Sequence, residues 1–180
     1  MTVSTARLDL VPLPRAMVAA LAQGDVAAAV TLAPFAIDAS TFADDEHVLA
    51  LRHAQLIADP SEEPWLLHAA VLRATGVVVG KVGFHASPDE SGAVEIGYRV
   101  GPAYRRQGLA TEMAIGLISW AASQGATACL ASIRPDNTPS LAIIDRLGFE
   151  RTGEQLDEID GLEWVFTLPL TALPSYQAPR

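Results

Sequence analysis

Cysteine is almost absent from this sequence, which limits what can hold the fold together. The chain carries one cysteine, Cys129, so no disulfide can form within it. With a single cysteine and four histidines that lack metal-ligand spacing, neither a structural zinc site nor any other metal is expected. Cys129 lies in the apolar run 127–133 and is expected to fill the core. Because chains without disulfides are typical of reducing compartments, we expect a cytoplasmic protein.

Positive charge is also scarce. The chain has 12 Lys and Arg side chains against 21 Asp and Glu, a formal net charge of −9. Phosphate binding needs clustered basic residues, so nucleic acid is not an expected partner. An acidic surface suits a cationic ligand, such as an amine or a basic peptide, and it serves solubility equally well.

Long hydrophobic runs and targeting signals are missing as well. Residues 1–9 lack a basic region followed by an apolar run, so no signal peptide is expected. No stretch is long and apolar enough to span a bilayer, so no membrane partner is expected. The chain has 180 residues, half of them hydrophobic, and shows no repeat or linker. We therefore predict one domain over residues 1–170 and a C-terminal tail over residues 171–180.

Apolar spacing and the positions of Gly and Pro predict the secondary structure. Strands are expected over residues 7–12, 65–73, 77–86, 94–100, 127–133, 149–157 and 162–168. Helices are expected over residues 15–29, with a break near Gly24, and over residues 44–58, 107–123 and 138–147. This order predicts an α/β (α+β) fold with a mixed sheet.

The most informative stretch is a polar loop between strand 94–100 and helix 107–123. The loop contains Arg105, Arg106, Gln107 and Gly108. The free backbone N–H groups at a helix start favour a phosphate or pyrophosphate, and a glycine there lets the backbone approach it. Walker A and three-glycine dinucleotide patterns do not occur in this loop. The alternative interpretation is a solvated helix start.

Three motifs, taken together, resemble one known family. They are Arg105-x-x-Gly108-x-Ala110, then Asn137-x-x-Ser140 followed by Leu147-Gly148-Phe149, and Arg7-Leu8-x-Leu10-x-Pro12-Leu13 at the N-terminus. The first two resemble the GNAT N-acetyltransferase superfamily, and the third resembles its branch of Rim-type ribosomal-protein acetyltransferases. The resemblance covers nearly the whole chain. It implies a mostly antiparallel central sheet flanked by helices, in which a splayed strand pair forms the acyl-CoA cleft.

The same resemblance implies acetyl-CoA as co-substrate and a set of residues that bind it. The pantetheine arm would pair with the backbone of Tyr98, Arg99 and Val100, and Asn137 would touch this arm while capping its own helix. The pyrophosphate would lie on the loop and helix start, formed by Arg105, Arg106, Gln107, Gly108, Leu109, Ala110 and Thr111.

Two side chains are candidates for the chemistry of transfer to a primary amine. Glu95 is the candidate base, acting directly or through a water, and its alternative is a strand residue paired with an arginine. Ser140 is the candidate group that contacts the sulfur and helps to protonate it; its alternative is an ordinary first-turn residue. Many members carry a tyrosine as general acid where this chain has Ile144. That departure favours the branch that uses a serine, and it leaves open an inactive protein that only binds CoA.

The acceptor is not readable from the sequence. A protein or peptide N-terminus, a small amine such as an amino acid, polyamine or antibiotic, and no acceptor at all each stay open. His85 ends a strand and is interpreted either as lining the acceptor cleft or as a surface residue. The acids Asp44, Asp45 and Glu46 are interpreted either as selecting a cationic acceptor or as favouring a helix start. The sequence also leaves open whether the chain forms a homodimer.

Overall fold

A computed structural model describes residues 1–37, 42 and 45–170, which form one eight-stranded sheet with five α-helices around it. The strands are β1 Val3–Ser4, β2 Leu8–Pro12, β3 Leu67–Leu72, β4 Val77–Phe84, β5 Ala93–Val100, β6 Ala128–Ile133, β7 Glu150–Asp157 and β8 Gly161–Pro169. The helices are α1 Arg15–Ala22, α2 Val26–Leu32, α3 Glu46–Ala58, α4 Leu109–Ser123 and α5 Thr138–Leu147. None of these helices combines the length and apolar character needed to cross a membrane.

The sheet divides between β5 and β6. Its strand order is β1-β2-β3-β4-β5-β6-β8-β7, and β5–β6 is the parallel pair among otherwise antiparallel neighbours. The β5–β6 ladder ends where Glu95 pairs with Leu130, whereas β5 stays paired with β4 from Ile96 to Val100. The expected mixed, mostly antiparallel sheet with a splayed strand pair is confirmed. We call the end of the β5–β6 ladder at Glu95 the fork. Beyond the fork, the β6-facing edge of β5 is open to a ligand.

Two hydrophobic cores cover the two faces of the sheet. On one face, Met113 and Leu117 of α4 are fully buried in a cluster that includes Ile96 of β5. On the other, Met17 of α1 and Leu56 of α3 belong to a second cluster. Because side chains alternate along a strand, β5 presents its even-numbered residues to α4 and its odd-numbered residues to the α1–α3 side.

Most predicted elements are confirmed, with shifts of a few residues at their ends. The short strand β1 was not expected. The helix predicted from Gln107 begins instead at Leu109, because Arg106 (φ 62°) and Gly108 (φ 76°) adopt left-handed conformations that an α-helix cannot contain. Helix α3 begins at Glu46; Asp44 and the predicted tail 171–180 lie outside the described residues.

Asp45 has a different role from either one expected for it. Its side chain is 5% exposed and makes no capping hydrogen bond to α3. It pairs instead with the Lys81 ammonium and with Arg99 Nη1, the latter at 3.1 Å. Desolvation lowers the pKa of Lys81, and Asp45 opposes that shift. The charge of Asp45 is therefore already balanced by two cations of the chain, which does not favour its interpretation as a residue that selects a cationic acceptor.

Cys129 fills the core as expected. It is fully buried within the cluster under α4. Burial raises the pKa of its thiol, which keeps it protonated at neutral pH and unsuited to nucleophilic attack.

A buried histidine makes the stability of the fold depend on pH. His68 on β3 is 1% exposed and lies 6.2 Å from Trp120, ring centre to ring centre. Burial lowers its pKa from 6.5 to about 4. Between these values the unfolded chain binds a proton that the folded chain does not. Stability should therefore be complete above pH 6.5 and fall as pH drops toward 4, by about 1.4 kcal/mol per pH unit from this group.

Urea denaturation at several pH values between 7.5 and 4.5 tests this prediction. The His68→Phe variant should show a shallower loss of unfolding free energy with falling pH than the wild type, whatever its absolute stability. His47→Gln, at an exposed position, should keep the wild-type slope. Equal slopes for wild type and His68→Phe would contradict the assignment.

Candidate functional site

A cavity opens where β5 has left β6. It measures about 900 Å³ and lies between the far end of β5, the loop that follows it, the first turn of α4 and one face of α5. Its lining comprises Tyr98, Arg99, Val100, Tyr104, Arg105, Arg106, Gly108, Leu109, Ala110, Thr111, Asn137, Pro139, Ser140, Ala142, Ile143 and Arg146. A ligand in it would meet the open strand edge and a helix N-terminus together.

The loop geometry exposes the first amides of α4. A single 3₁₀ turn, Pro102–Tyr104, follows β5, and Arg105 Nε donates to the carbonyl of Val100 at 3.2 Å. Gly108 then occupies the N-cap position with φ 76°, and no side chain caps the helix. The first N–H groups of α4 are therefore available to a ligand, at the positive end of the helix dipole. Such a site suits an anionic group.

Arg7, which does not line the cavity, hydrogen-bonds both to this loop and to α4. Arg7 Nε donates to Glu112 Oε2 at 2.7 Å, and Arg7 Nη1 donates to the carbonyl of Gln107 at 3.0 Å. Burial would raise the pKa of Glu112, but hydrogen bonds from Thr5 and Arg7 lower it below its ordinary value. Sequence reasoning had noted Arg7 only as part of a motif. This contact between the segment that joins β1 to β2 and the loop before α4 joins residues about a hundred positions apart, so local patterning could not reveal it.

Helix α5 brings a hydroxyl to the cavity wall. The Asn137 side chain caps the helix by accepting from the Ser140 amide at 3.3 Å, as expected. Ser140 is half-buried and close to Tyr98. Burial raises the pKa of Tyr98, and the Ser140 hydroxyl opposes part of that rise. The cavity thus contains two hydroxyl groups near the open edge of β5.

Most residues proposed from the sequence line this cavity, but two do not. Gln107 turns its carbonyl to Arg7, and Glu95 lies on the opposite face of the sheet. Sequence reasoning missed the lining residues Tyr104, Pro139, Ala142, Ile143 and Arg146. The helical spacing of positions 139, 143 and 146 was a signal for one face of α5. Ile144, by contrast, is 1% exposed and belongs to the core.

Glu95 lies at the fork, the last residue of β5 that pairs with β6. Its Oε2 is 3.5 Å from His85 Nδ1. The hydrogen bond from His85 lowers the pKa of Glu95; burial opposes this, and Ser132 and Arg52 add to it. Glu95 is therefore an ionised carboxylate whose partner is a histidine.

The arrangement can hold an elongated anionic ligand. One end of the cavity offers free amides with Arg105, Arg106 and Arg146, and the other offers the open edge of β5. In the described ranges, no three His, Cys, Asp or Glu side chains lie close enough to hold a metal ion.

Comparisons with known proteins agree with this geometry. The family model described as acetyltransferase (GNAT) domain matches residues 7–150. The uncharacterized N-acetyltransferase YjdG of Bacillus subtilis (strain 168) is 38% identical over 73 residues, which cover 40% of this chain and 44% of that protein. The chain therefore spans about half the length of the curated relatives it matches.

Two solved structures share the fold. Mycobacterium smegmatis RimJ in complex with CoA-disulfide has a TM-score of 0.66 at 20% identity, covering 97% of this chain and 90% of RimJ. RimL, a ribosomal L7/L12 α-N-protein acetyltransferase in complex with coenzyme A, has a TM-score of 0.64 at 16% identity, covering 94% of this chain and 98% of RimL. At these identities the likeness establishes the fold alone.

Proposed function

The chain belongs to the acetyltransferase (GNAT) domain family, and on that premise we propose that it transfers the acetyl group of acetyl-CoA to a primary amine, in particular the N-terminal α-amine of a protein or peptide. The observation that carries this proposal is the cavity between the separated strands β5 and β6, which ends at the uncapped start of α4.

The residues around the cavity fit CoA. Gly108, Leu109 and Ala110 line the cavity at the uncapped start of α4, so a diphosphate can approach the amides of Leu109 and Ala110. Arg105, Arg106 and Arg146 would add charge-assisted hydrogen bonds. The pantetheine arm is proposed to contact the backbone of Tyr98, Arg99 and Val100 and the side chain of Asn137.

The chain's own groups would then manage the protons. A primary amine must be neutral to attack, and α-amines have ordinary pKa values of about 7.7–8.0 against about 10.4 for lysine. Removing the proton is therefore easier for an N-terminus than for a lysine side chain. Glu95 at the fork is proposed to assist removal of the proton from the amine. Ser140 is proposed to donate a hydrogen bond to the departing sulfur.

The missing tyrosine supports the route through Ser140. Position 144 is an isoleucine buried in the core, so it cannot supply an acid. The hydroxyl-bearing residues of the described cavity wall are Tyr98, Tyr104, Thr111 and Ser140, and Ser140 lies next to Tyr98 of β5.

Two other functions stay in competition. RimL acts on a protein α-amine by its description, which favours a peptide N-terminus, whereas the same cavity would serve an acetyltransferase of a small amine. An acyl-CoA-binding module without activity is the third alternative, since Ile144 removes the usual acid.

Release of free CoA thiol from acetyl-CoA distinguishes these functions. The acceptor panel should contain peptides with free N-termini, the same peptides blocked at the N-terminus, and amino acids, polyamines and amine-bearing antibiotics. We expect turnover with free N-termini and none with their blocked counterparts. Turnover confined to small amines would identify the second function, and CoA binding without turnover on any acceptor would identify the third.

A further inference from the structure

A histidine and a glutamate face each other on the side of the sheet away from the cavity. His85 follows the last residue of β4, and its backbone N–H donates to the Glu95 carbonyl at 2.8 Å, which continues the ladder between the two strands. This register puts His85 Nδ1 3.5 Å from Glu95 Oε2. The imidazole is half-exposed and the carboxylate is 29% exposed, so the pair is reachable from solvent.

Helix α3 holds this histidine in place. Arg52 Nη1 and Gln55 Nε2 both donate to the His85 carbonyl, each at 2.8 Å. Arg52 is itself only 6% exposed, and Gln55 Oε1 accepts from it at 2.7 Å. An ordinary surface histidine has no need of a buried arginine on its backbone. The backbone of His85 is therefore held relative to α3 and β5.

The second ring nitrogen points toward an open part of β5. A Cβ added to Gly97 would lie 3.4 Å from His85 Nε2, and the imidazole is the only group among the described residues within 4 Å of that point. Gly97 lies two residues beyond the fork, on the same face as Glu95. A group resting on Gly97 would thus touch Nε2 while standing beside the gap between β5 and β6.

We propose that His85 Nε2 takes the proton from the acceptor amine, and that Glu95 is a positioning residue that binds the Nδ1 proton and stabilises the imidazolium. This inference rests on the proposed amine acetyltransferase function and names its proton acceptor. A carboxylate that orients an imidazole base is an established catalytic arrangement in proteins generally.

The step balances without any further reactant. His85 Nε2 accepts one proton from R–NH₃⁺, which leaves a neutral amine. The amine nitrogen then forms a bond to the thioester carbonyl carbon, the C–S bond breaks, and the sulfur takes up the second amine proton through Ser140. The proton on His85 returns to solvent.

Glu95 alone is a poor candidate for this proton. The hydrogen bond from His85 lowers the pKa of Glu95, burial opposes this, and Ser132 and Arg52 lower it further. A carboxylate held this firmly in its ionised form accepts protons weakly. Imidazole side chains in general titrate near neutral pH, which suits transfer from an α-amine.

The charged groups around His85 set the background for a pH test. They are Glu95 on β5, Arg52 on α3 and Asp157 at the end of β7, whose own pKa is lowered mainly by backbone hydrogen bonds and slightly by His47 and His85. Glu62 lies nearby and holds Ser87. The pKa values of Glu95 and Asp157 are both lowered from values already in the acid range, so these two carboxylates should not add a step in the range tested.

The test compares His85→Gln with wild type in acetyl transfer to one peptide α-amine from pH 6.5 to 9.5. We expect kcat to fall about 100-fold at pH 7, and the deficit to shrink above the pKa of the amine, where the acceptor is already neutral. The Kd of CoA should not change, because His85 does not line the cavity. His47→Gln, at an exposed position on α3, is the matched control and should behave as wild type.

A second variant protects the test against misfolding. Gly97→Ala places a methyl group against Nε2 while leaving the imidazole in the chain, and it should lower kcat with CoA binding retained. A loss in His85→Gln that is constant across pH, or full activity in both variants, would overturn the role of His85 and leave the acetyltransferase function standing. Absence of turnover by the wild-type chain on every amine would overturn both.

Discussion

Replacing Glu95 by Gln should lower kcat for acetyl transfer by about 10²- to 10⁴-fold. The change keeps the size of the side chain but removes the charge that faces His85 and the proton acceptor it supports. The Kd of CoA should stay at its wild-type value, because Glu95 lies on the other face of the sheet from the cavity. Steady-state kinetics together with isothermal titration of CoA measure both quantities.

Glu90→Gln is the matched control, because it makes the same chemical change at an exposed position in the loop before β5. Ser140→Ala offers a graded comparison. Ser140→Ala should lower kcat about tenfold or more. This loss is smaller than that expected for Glu95→Gln, because a thiol with an ordinary pKa of about 8.5 leaves readily as a thiolate. Unchanged activity in both Glu95→Gln and Ser140→Ala would remove the roles assigned to them.

Replacing Gly108 by Val should raise the Kd of CoA about tenfold or more, a loss of about 1.4 kcal/mol per tenfold. Two physical effects act together. Gly108 has φ 76°, a conformation that β-branched residues strongly disfavour, and a Cβ there would lie 3.7 Å from Nη2 of Arg7, the arginine that holds this loop. Isothermal titration with CoA measures the affinity.

Gly76→Val separates strain from binding. Gly76 has φ 71°, and a Cβ there would meet nothing within 4 Å among the described residues, in the turn between β3 and β4. It should show a comparable loss of unfolding free energy while binding CoA normally. Undiminished affinity in Gly108→Val would reject the proposed site for the diphosphate.

The local parts of this structure could be predicted because their causes are local. Asn137 caps α5 through an amide three residues away, and Gly148 ends the same helix with φ 82°; both are signals that a short window contains. The loop before α4 was likewise visible as a pattern. The predicted helix began two residues too early because Gly108, which was expected inside it, is the N-cap with φ 76°.

The partners of charged side chains could not be predicted. Asp45 was interpreted from its position at a helix start, where a carboxylate is usually favourable, yet its charge is used by Lys81 on β4 and Arg99 on β5. Arg7 and Glu112 form an ion pair although they are 105 positions apart in the sequence. Such contacts depend on which strands become neighbours, and that choice is made by the packing of the whole sheet.

By itself, the sequence determined the order of helices and strands, the loop that exposes the amides of α4, and the hydroxyl of Ser140 one turn into α5. It did so because periodicity, glycine placement and capping act over a few residues. Only the tertiary structure decided that β5 leaves β6 after Glu95, that Ser140 lies next to Tyr98, and that Glu95 pairs with His85 on the face of the sheet away from the cavity. These depend on the register between distant strands, where a shift of one residue would turn every side chain to the opposite face.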